Sequence, residues 1–534
     1  MRIDRKILSR ISLGYIYIPI ILFLFGWTKI WIALLCTAAI GFTGYRLFFR
    51  KGKDQDRMKD DLPLLGEEIR ISTGVVVASV AMILVFLYYS GVGRFVWQSY
   101  DWYKHNAILS DLTSRSWPVY YHNNGDTSML TYYLAQYLLP GLIGKATGSF
   151  RVAEIAYFFL GAAGIFLVWC HVILYAKIQK KHMQILTVCF LFFFSAPNML
   201  RALVFSLLFK TNITLEWYSF YLPEQNIVLQ YTDNYDLIRY VLPQSVSIWL
   251  IFLLFLENRK TLRNYVFILL PGVFFGIFPF LGFLPFALGQ AIIEFVQRKE
   301  KKTWLRELFS LENIFVAATL GMVLFLYYLG NVLTPKPDIF GLTMTPFSGK
   351  MQYYLVYVLI TVILPMSFVF MKHRREVFYY IVLGMLLILP FFRMGKYNDL
   401  MMRTSIPALF LLMLYMLGAV NDIKKQKPAN MKTLADFGMV LVIVIGMIMP
   451  FLHLLERLVE DDITEPAELL SYGSLEYLAT RDDETFIRSY EEAGFEYKGE
   501  EGIGIYDDLR YNYFTYDPEE SLFYKYIARE KDRG

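Results

Sequence analysis

Apolar stretches of about 15–24 residues recur along this chain of 534 residues, separated by short charged clusters. A helix needs about 20 apolar residues to span the hydrocarbon of a bilayer. A soluble core could not enclose so many helices that are apolar on every face. Composition agrees. The chain is 56% apolar and 19% charged, whereas soluble domains average about 45–50% and about 25%. The expected fold is all-α, a polytopic integral membrane protein with about 13 transmembrane helices.

Candidate spans fall at about 11–27, 30–48, 70–92, 153–176, 184–206, 243–256, 264–279, 280–297, 312–333, 352–371, 378–393, 405–420 and 434–453. The stretch 264–297 carries Pro271, Pro279 and Pro285 and reads as two short helices or a broken segment. Charge tests this set independently, because cytoplasmic loops are rich in Lys and Arg. With Arg2, Arg5, Lys6 and Arg10 inside, alternation puts Arg50–Lys59, Lys177–Lys181, Arg259–Arg263, Arg298–Arg306, Lys372–Arg375 and Lys424–Lys432 inside as well, and each is a basic cluster. The alternation requires that 129–148, with Pro140 and Gly141, does not cross, and it reads as an interfacial or re-entrant helix. The expected location is the cell membrane, multi-pass, with the N-terminus cytoplasmic and the C-terminus extracytoplasmic. The segment MRIDRKILSR has no A-x-A-like cleavage site after it, so a retained first helix is expected in place of a signal peptide.

Two parts follow. A transmembrane domain covers 1–453, with outside loops at about 93–150, 207–242, 334–351 and 393–405. A tail covers 454–534, with 22 Asp and Glu against 9 Lys and Arg. The tail also carries the aromatic run YDDLRYNYFTYDPEESLFYKY. Disordered acidic tails have few aromatics, so a small folded appendage with some helix is expected, resting on the membrane domain.

Several function classes lack support. A net charge of +5, spread over short loops, does not make the basic face of a nucleic-acid binder. Cys36, Cys170 and Cys189 lie in apolar segments and read as buried hydrophobes. No His pair has metal-site spacing, so no metal ligands are read, no cofactor is required and a divalent metal has no support. There is no P-loop, dinucleotide fingerprint, H-E-x-x-H or nucleophile elbow. Few ionisable residues lie in mid-span, where ion-coupled transporters place them.

Chemistry concentrates in the outside loops. The first contains Asp101, Lys104, His105, Asp111, Arg115, His122 and Asp126. In a helix over 99–112, Asp101 and His105 share a face and form a candidate acid–base pair for an acceptor hydroxyl. In a purely solvated loop the same two residues would only tie it to neighbouring helices. The second loop combines Glu216, Glu224, Asp233, Asp236 and Arg239 with Trp217, Tyr218, Tyr221 and Tyr235. Aromatic faces beside carboxylates suit carbohydrate, although Trp and Tyr also anchor helices at the interface. The turn 393–405 holds Arg393, Lys396, Asn398, Asp399 and Arg403. Cations at headgroup depth suit a lipid phosphate, which Arg binds bidentately. The competing reading is an Asp399–Arg403 pair that caps the helix. Lys336 and Lys350 are weaker members of the same class.

The motif SYDWYKH at 99–105 and the run KYNDLMMRTSIPALF at 396–410 carry a resemblance. With the order of helices, acidic first loop and outside tail, the chain resembles the GT-C superfamily of polytopic glycosyltransferases. The second run is similar to an N-D-x-x-M-R-x-S-I-P-A-L pattern of bacterial members. The resemblance implies a GT-C-like fold and sugar transfer from a polyprenyl-phosphate donor to a glycan, lipid or protein acceptor on the extracytoplasmic face, with inversion. It implies Asp101 as general base, His105 orienting it, and Arg403, Lys396 and Arg393 neutralising the departing phosphate. Asp399, Arg239, Asp126 and His122 complete the expected substrate contacts. The chain departs from the family pattern in two ways. Its acidic loop follows the third span, and 101–103 reads Asp-Trp-Tyr without a paired acid. A flippase or transporter of lipid-linked glycans, and a non-catalytic scaffold of an envelope-synthesis complex, are the alternatives.

Overall fold

The computed structural model describes residues 2–49, 68–96, 98, 102–123, 126–210, 220–222, 227–333, 341–395, 398–423, 431–459, 474–475 and 513–529. Among these, eight helices are long and apolar enough to cross a membrane: Arg5–Trp27, Ile30–Phe49, Phe150–Tyr175, Asn234–Asn258, Ile277–Gln297, Lys301–Leu333, Met351–His373 and Leu434–Glu456. The pair Lys181–Phe193 and Asn198–Phe209 passes the same test only as one element bent by 47°. Thr73–Tyr89, Leu262–Phe275, Val377–Phe391 and Ile406–Asn421 are shorter apolar helices. Every apolar stretch picked out in the sequence falls on one of these elements, but the four short ones are below the length of a full crossing. The chain is therefore a mostly helical protein of multi-pass membrane character.

The helices are interrupted where the sequence dictates. Pro271 opens the short helix Pro271–Phe275, and the chain leaves helical geometry at Gly276 before Ile277–Gln297, so 264–297 is broken. In Asn234–Asn258 the backbone at Val241 is non-helical, two residues before Pro243. Proline removes one ladder hydrogen bond and crowds the carbonyl four residues back. The Ser245 hydroxyl donates to the Leu237 and Leu242 carbonyls at the break.

Ion pairs tie one set of helix ends together. Arg5 pairs with Glu257 at 3.5 Å, Arg46 with Glu312 at 3.0 Å and Lys372 with Asp422 at 2.6 Å. Lys180 Nζ donates to the Asn421 carbonyl at 3.0 Å. A short antiparallel pairing of Arg2–Asp4 with Glu68–Arg70 lies with them. These are the helix ends that the basic clusters mark in the sequence.

The opposite end carries the loops, and they interlock. A hairpin of Tyr120–Asn123 and Asp126–Leu130 takes Phe514–Tyr516 of the tail as a third antiparallel strand. Asn331 Nδ2 donates to the Phe514 carbonyl, and Arg529 N donates to the Trp27 carbonyl. The described part of the tail is thus woven into the first loop. Most of the acidic tail lies outside the described residues.

The stretch 129–148 carries a helix packed within the protein. Its first residues finish the hairpin strand, and Ala135–Thr147 is a helix buried against Trp102–Ser114 and Phe150–Tyr175. The cause is its small-residue face. A Cβ on Gly141 would meet Leu112 Cβ at 2.8 Å, and one on Gly144 would meet Ala153 Cβ at 2.7 Å. Backbones approach too closely there for any larger side chain.

Candidate functional site

Three of the loop segments meet at Arg403. Asn398 begins the helix Asp399–Thr404 from a left-handed conformation (φ 57°), with its side-chain oxygen accepting the Met401 N–H. Asn tolerates this region because its short polar side chain bonds locally. Its Nδ2 donates to the Val228 and Phe392 carbonyls, both at 3.1 Å, tying the turn to the second loop and to the strand Phe392–Arg393. That strand pairs with Thr343–Met344 of the third loop. One helical turn after Asp399, Arg403 donates from Nη2 to Asp399 Oδ1 at 2.9 Å. The Arg403 side chain is only 15% exposed, whereas Asp399 is 39% exposed.

The surroundings of Arg403 are aromatic. Burial works against its charge, while Asp399 and the hydroxyls of Tyr132, Tyr133 and Tyr513 favour it, and the balance holds its pKa above the ordinary arginine value. Burial pushes the Tyr133 hydroxyl up, and Arg403 pulls it partly back. Tyr132 stacks on Tyr513 with ring centroids 4.0 Å apart, and meets Tyr133 tilted, at 4.6 Å. The Tyr132 N–H donates to the Tyr327 hydroxyl, and Thr131 N donates to the Tyr513 carbonyl at 2.8 Å. First loop, turn and tail therefore share one charged centre. Arg403 Nε is buried and has no hydrogen-bond partner among the described residues. An unsatisfied buried donor costs about 1–3 kcal/mol, and such groups concentrate at functional sites.

His105 lies at the foot of the same aromatic group. It is buried, with Nε2 donating to the Tyr240 carbonyl at 2.8 Å and Nδ1 lying 2.5 Å from the Tyr137 hydroxyl. A carbonyl only accepts, so a proton sits on Nε2. Tyr137 stacks on Tyr157 at 5.4 Å. Arg239 adjoins this group through Tyr240, whose ring it covers at 4.9 Å. Both ring nitrogens of His105 are engaged with the protein, so the geometry makes it a positioning residue.

The remaining sequence candidates divide. Asp101 immediately precedes the helix Trp102–Ser114, and Asp101 and Lys396 lie outside the described residues. Asp126 closes the hairpin opposite Asn123, and the backbone alone is described there. His122 is exposed on that hairpin, with Nδ1 3.1 Å from Thr127 Oγ1. Arg393 is half-buried in its strand beside the turn.

Asp111 has a different role from the rest of the loop. It is fully buried and accepts from Arg115 Nε at 3.2 Å, from the Tyr121 hydroxyl at 2.8 Å and from Leu475 N at 2.9 Å. Burial raises its pKa, and these donors pull it back down. The carboxylate thereby joins loop helix, hairpin and tail. Sequence reading placed Asp111 in the loop without this role, and it passed over Tyr132, Tyr133 and Tyr513 around Arg403. The density of tyrosine in YYLAQY and YNYFTY was the available signal.

Comparison with protein-family models, curated proteins and solved structures finds no match for the chain.

Proposed function

We propose that the chain is a membrane-embedded glycosyltransferase that uses a polyprenyl-phosphate-linked sugar on the extracytoplasmic face. One observation carries the reading: Arg403, buried among tyrosines of the first loop and tail, has no partner for Nε among the described residues while Asp399 holds its other side. A fixed guanidinium at the start of the apolar helix Ile406–Asn421 suits a lipid phosphate. Aromatic faces around it suit a sugar.

In this reading Asp101 takes the proton of the acceptor hydroxyl as that oxygen bonds to the anomeric carbon. The bond from that carbon to the phosphate oxygen breaks, and the phosphate leaves with the electron pair. Arg403, with Arg393 and Lys396 of the same turn, stabilises that developing charge. Asp399 fixes the guanidinium, and His105 holds the loop helix against Tyr137 and Tyr240. In this reading the chain crosses the membrane with its N-terminus in the cytoplasm and these loops outside, which the Lys and Arg clusters favour.

A second reading, transport of a lipid-linked glycan, draws on the break at Val241 and the 47° bend before Asn198, since transporters build sites at interrupted helices. Purified protein in lipid, given a panel of polyprenyl-phosphate sugars, separates the two. Transfer abolished by Asp101→Asn in folded protein supports the transferase. Flipping of the donor without transfer supports the transporter.

A further inference from the structure

The fold brings together three metal-ligating side chains that the chemistry above does not use. Asp233 and Asp236 stand at the start of the helix Asn234–Asn258, and His453 stands near the end of the last helix, Met431–Val459. Donor atoms of all three lie within 4.8 Å of one another, and all three residues are buried. Asp236 Oδ2 is 3.2 Å from His453 Nδ1. A cation with bonds of about 2.1 Å holds neighbouring donors about 3.0–3.4 Å apart and opposite donors about 4.2 Å apart. The 3.2 Å between Asp236 and His453 fits neighbouring donors, and Asp233 lies near enough to join them with a small shift.

A second observation points to a ligand. Asp236 is 1% exposed, and apart from the ion pair with His453 neither of its carboxylate oxygens has a hydrogen-bond partner among the described residues. A buried carboxylate is normally saturated with donors, because removal from water is otherwise too costly. Asp233 beside it is itself a buried carboxylate. One of its oxygens accepts the Asp236 N–H at 2.9 Å, leaving a second to give. Arg239 follows one turn later, with its guanidinium over the Tyr240 ring.

We infer that Asp233, Asp236 and His453 bind one divalent first-row cation of the Mn²⁺ or Zn²⁺ class. Two carboxylates and an imidazole match these ions better than Mg²⁺ or Ca²⁺, which favour oxygen alone. The cation clamps the second loop to the last helix at the loop-bearing end of the bundle. Three protein donors leave further coordination positions for water or a substrate oxygen. The inference does not rest on the transferase reading.

The test uses the full-length protein in lipid nanodiscs, stripped with a chelator and titrated with Mn²⁺ under electron paramagnetic resonance. One Mn²⁺ per chain is expected, with ¹⁴N coupling from His453 in the spin-echo modulation and displacement by Zn²⁺. Asp236→Asn and His453→Gln, near-isosteric changes whose folding is checked by thermal unfolding, should each weaken binding at least tenfold. His453→Gln should also abolish the nitrogen coupling. Three results overturn the inference: no stoichiometric Mn²⁺ at millimolar metal, bound Mn²⁺ without nitrogen coupling, or affinity unchanged in both variants. In any of those cases the cluster is an Asp236–His453 ion pair only.

Discussion

Arg403 is held by Asp399 at 2.9 Å from one side, and its buried Nε has no partner among the described residues. An arginine used only to cap its helix would spend its donors locally. This one has one strong partner and an unused donor inside an aromatic enclosure. Arg403→Ala should lower transfer by about 10- to 100-fold, the equivalent of the 1.5–3 kcal/mol of a charge-assisted hydrogen bond. Arg403→Lys should recover part of that loss, because it restores charge without the planar fork. Initial rates with a polyprenyl-phosphate sugar measure both. Equal activity in the alanine variant and wild type would reduce Arg403 to a structural residue.

The tail should be needed for activity and not for membrane integration. Tyr513 stacks on Tyr132, and Phe514–Tyr516 completes the hairpin sheet. Truncation before Tyr513 removes both and leaves the bundle's helices intact. The expected outcome is normal membrane recovery, near-native helicity by circular dichroism and transfer reduced by at least about tenfold, the effect of one lost contact of about 1.4 kcal/mol. Full activity in the truncated chain would show that the tail only covers the loop.

Asp111 should matter for stability. Asp111→Ala leaves Arg115, Tyr121 and the Leu475 N–H without their shared acceptor. Removing one partner from a buried polar group costs about 1–3 kcal/mol. The thermal midpoint of the purified protein should fall, and protease should cut the tail sooner. A midpoint and cleavage rate like those of wild type would contradict the network.

His105 and Tyr137 should prove energetically coupled. Each single change, His105→Gln and Tyr137→Phe, breaks the 2.5 Å contact, so the double change should cost less than the sum of the two. A coupling of about 0.5–3 kcal/mol is typical of residues in one network. Denaturation of the four proteins gives the value. Strict additivity would mean that the contact carries no energy.

How much of this was legible in the sequence varies with the physics behind each part. Period and length alone place helices wherever apolar runs reach the thickness of a bilayer, so every apolar stretch appears as a helix. Residues of the Lys and Arg clusters form ion pairs at helix ends, as Arg5 does with Glu257 and Lys372 with Asp422. For the stretch 129–148 the sequence left an interfacial and a re-entrant helix open, because only the fold shows that Gly141 and Gly144 bring protein backbones together. Among the site residues, Arg403 and Asp399 were legible because i, i+4 spacing is local. The tyrosines around them were not, because Tyr132 and Tyr513 come from distant parts of the chain. The same holds for His453, which looks like an isolated polar residue in an apolar helix until the fold sets it beside Asp233 and Asp236. The basic clusters and the spacing of apolar runs report on the membrane, whereas the site depends on contacts between loops.

Sugar transfer itself is the measurement that tests the account most directly. Purified protein in lipid is given radiolabelled polyprenyl-phosphate sugars and candidate acceptors, with Asp101→Asn and Arg403→Ala alongside. The account predicts transfer by the wild type, its loss in Asp101→Asn and a large reduction in Arg403→Ala, all three proteins unfolding at similar temperatures. Transfer that persists unchanged in both variants, or a folded wild type that binds these donors and transfers none, would contradict it.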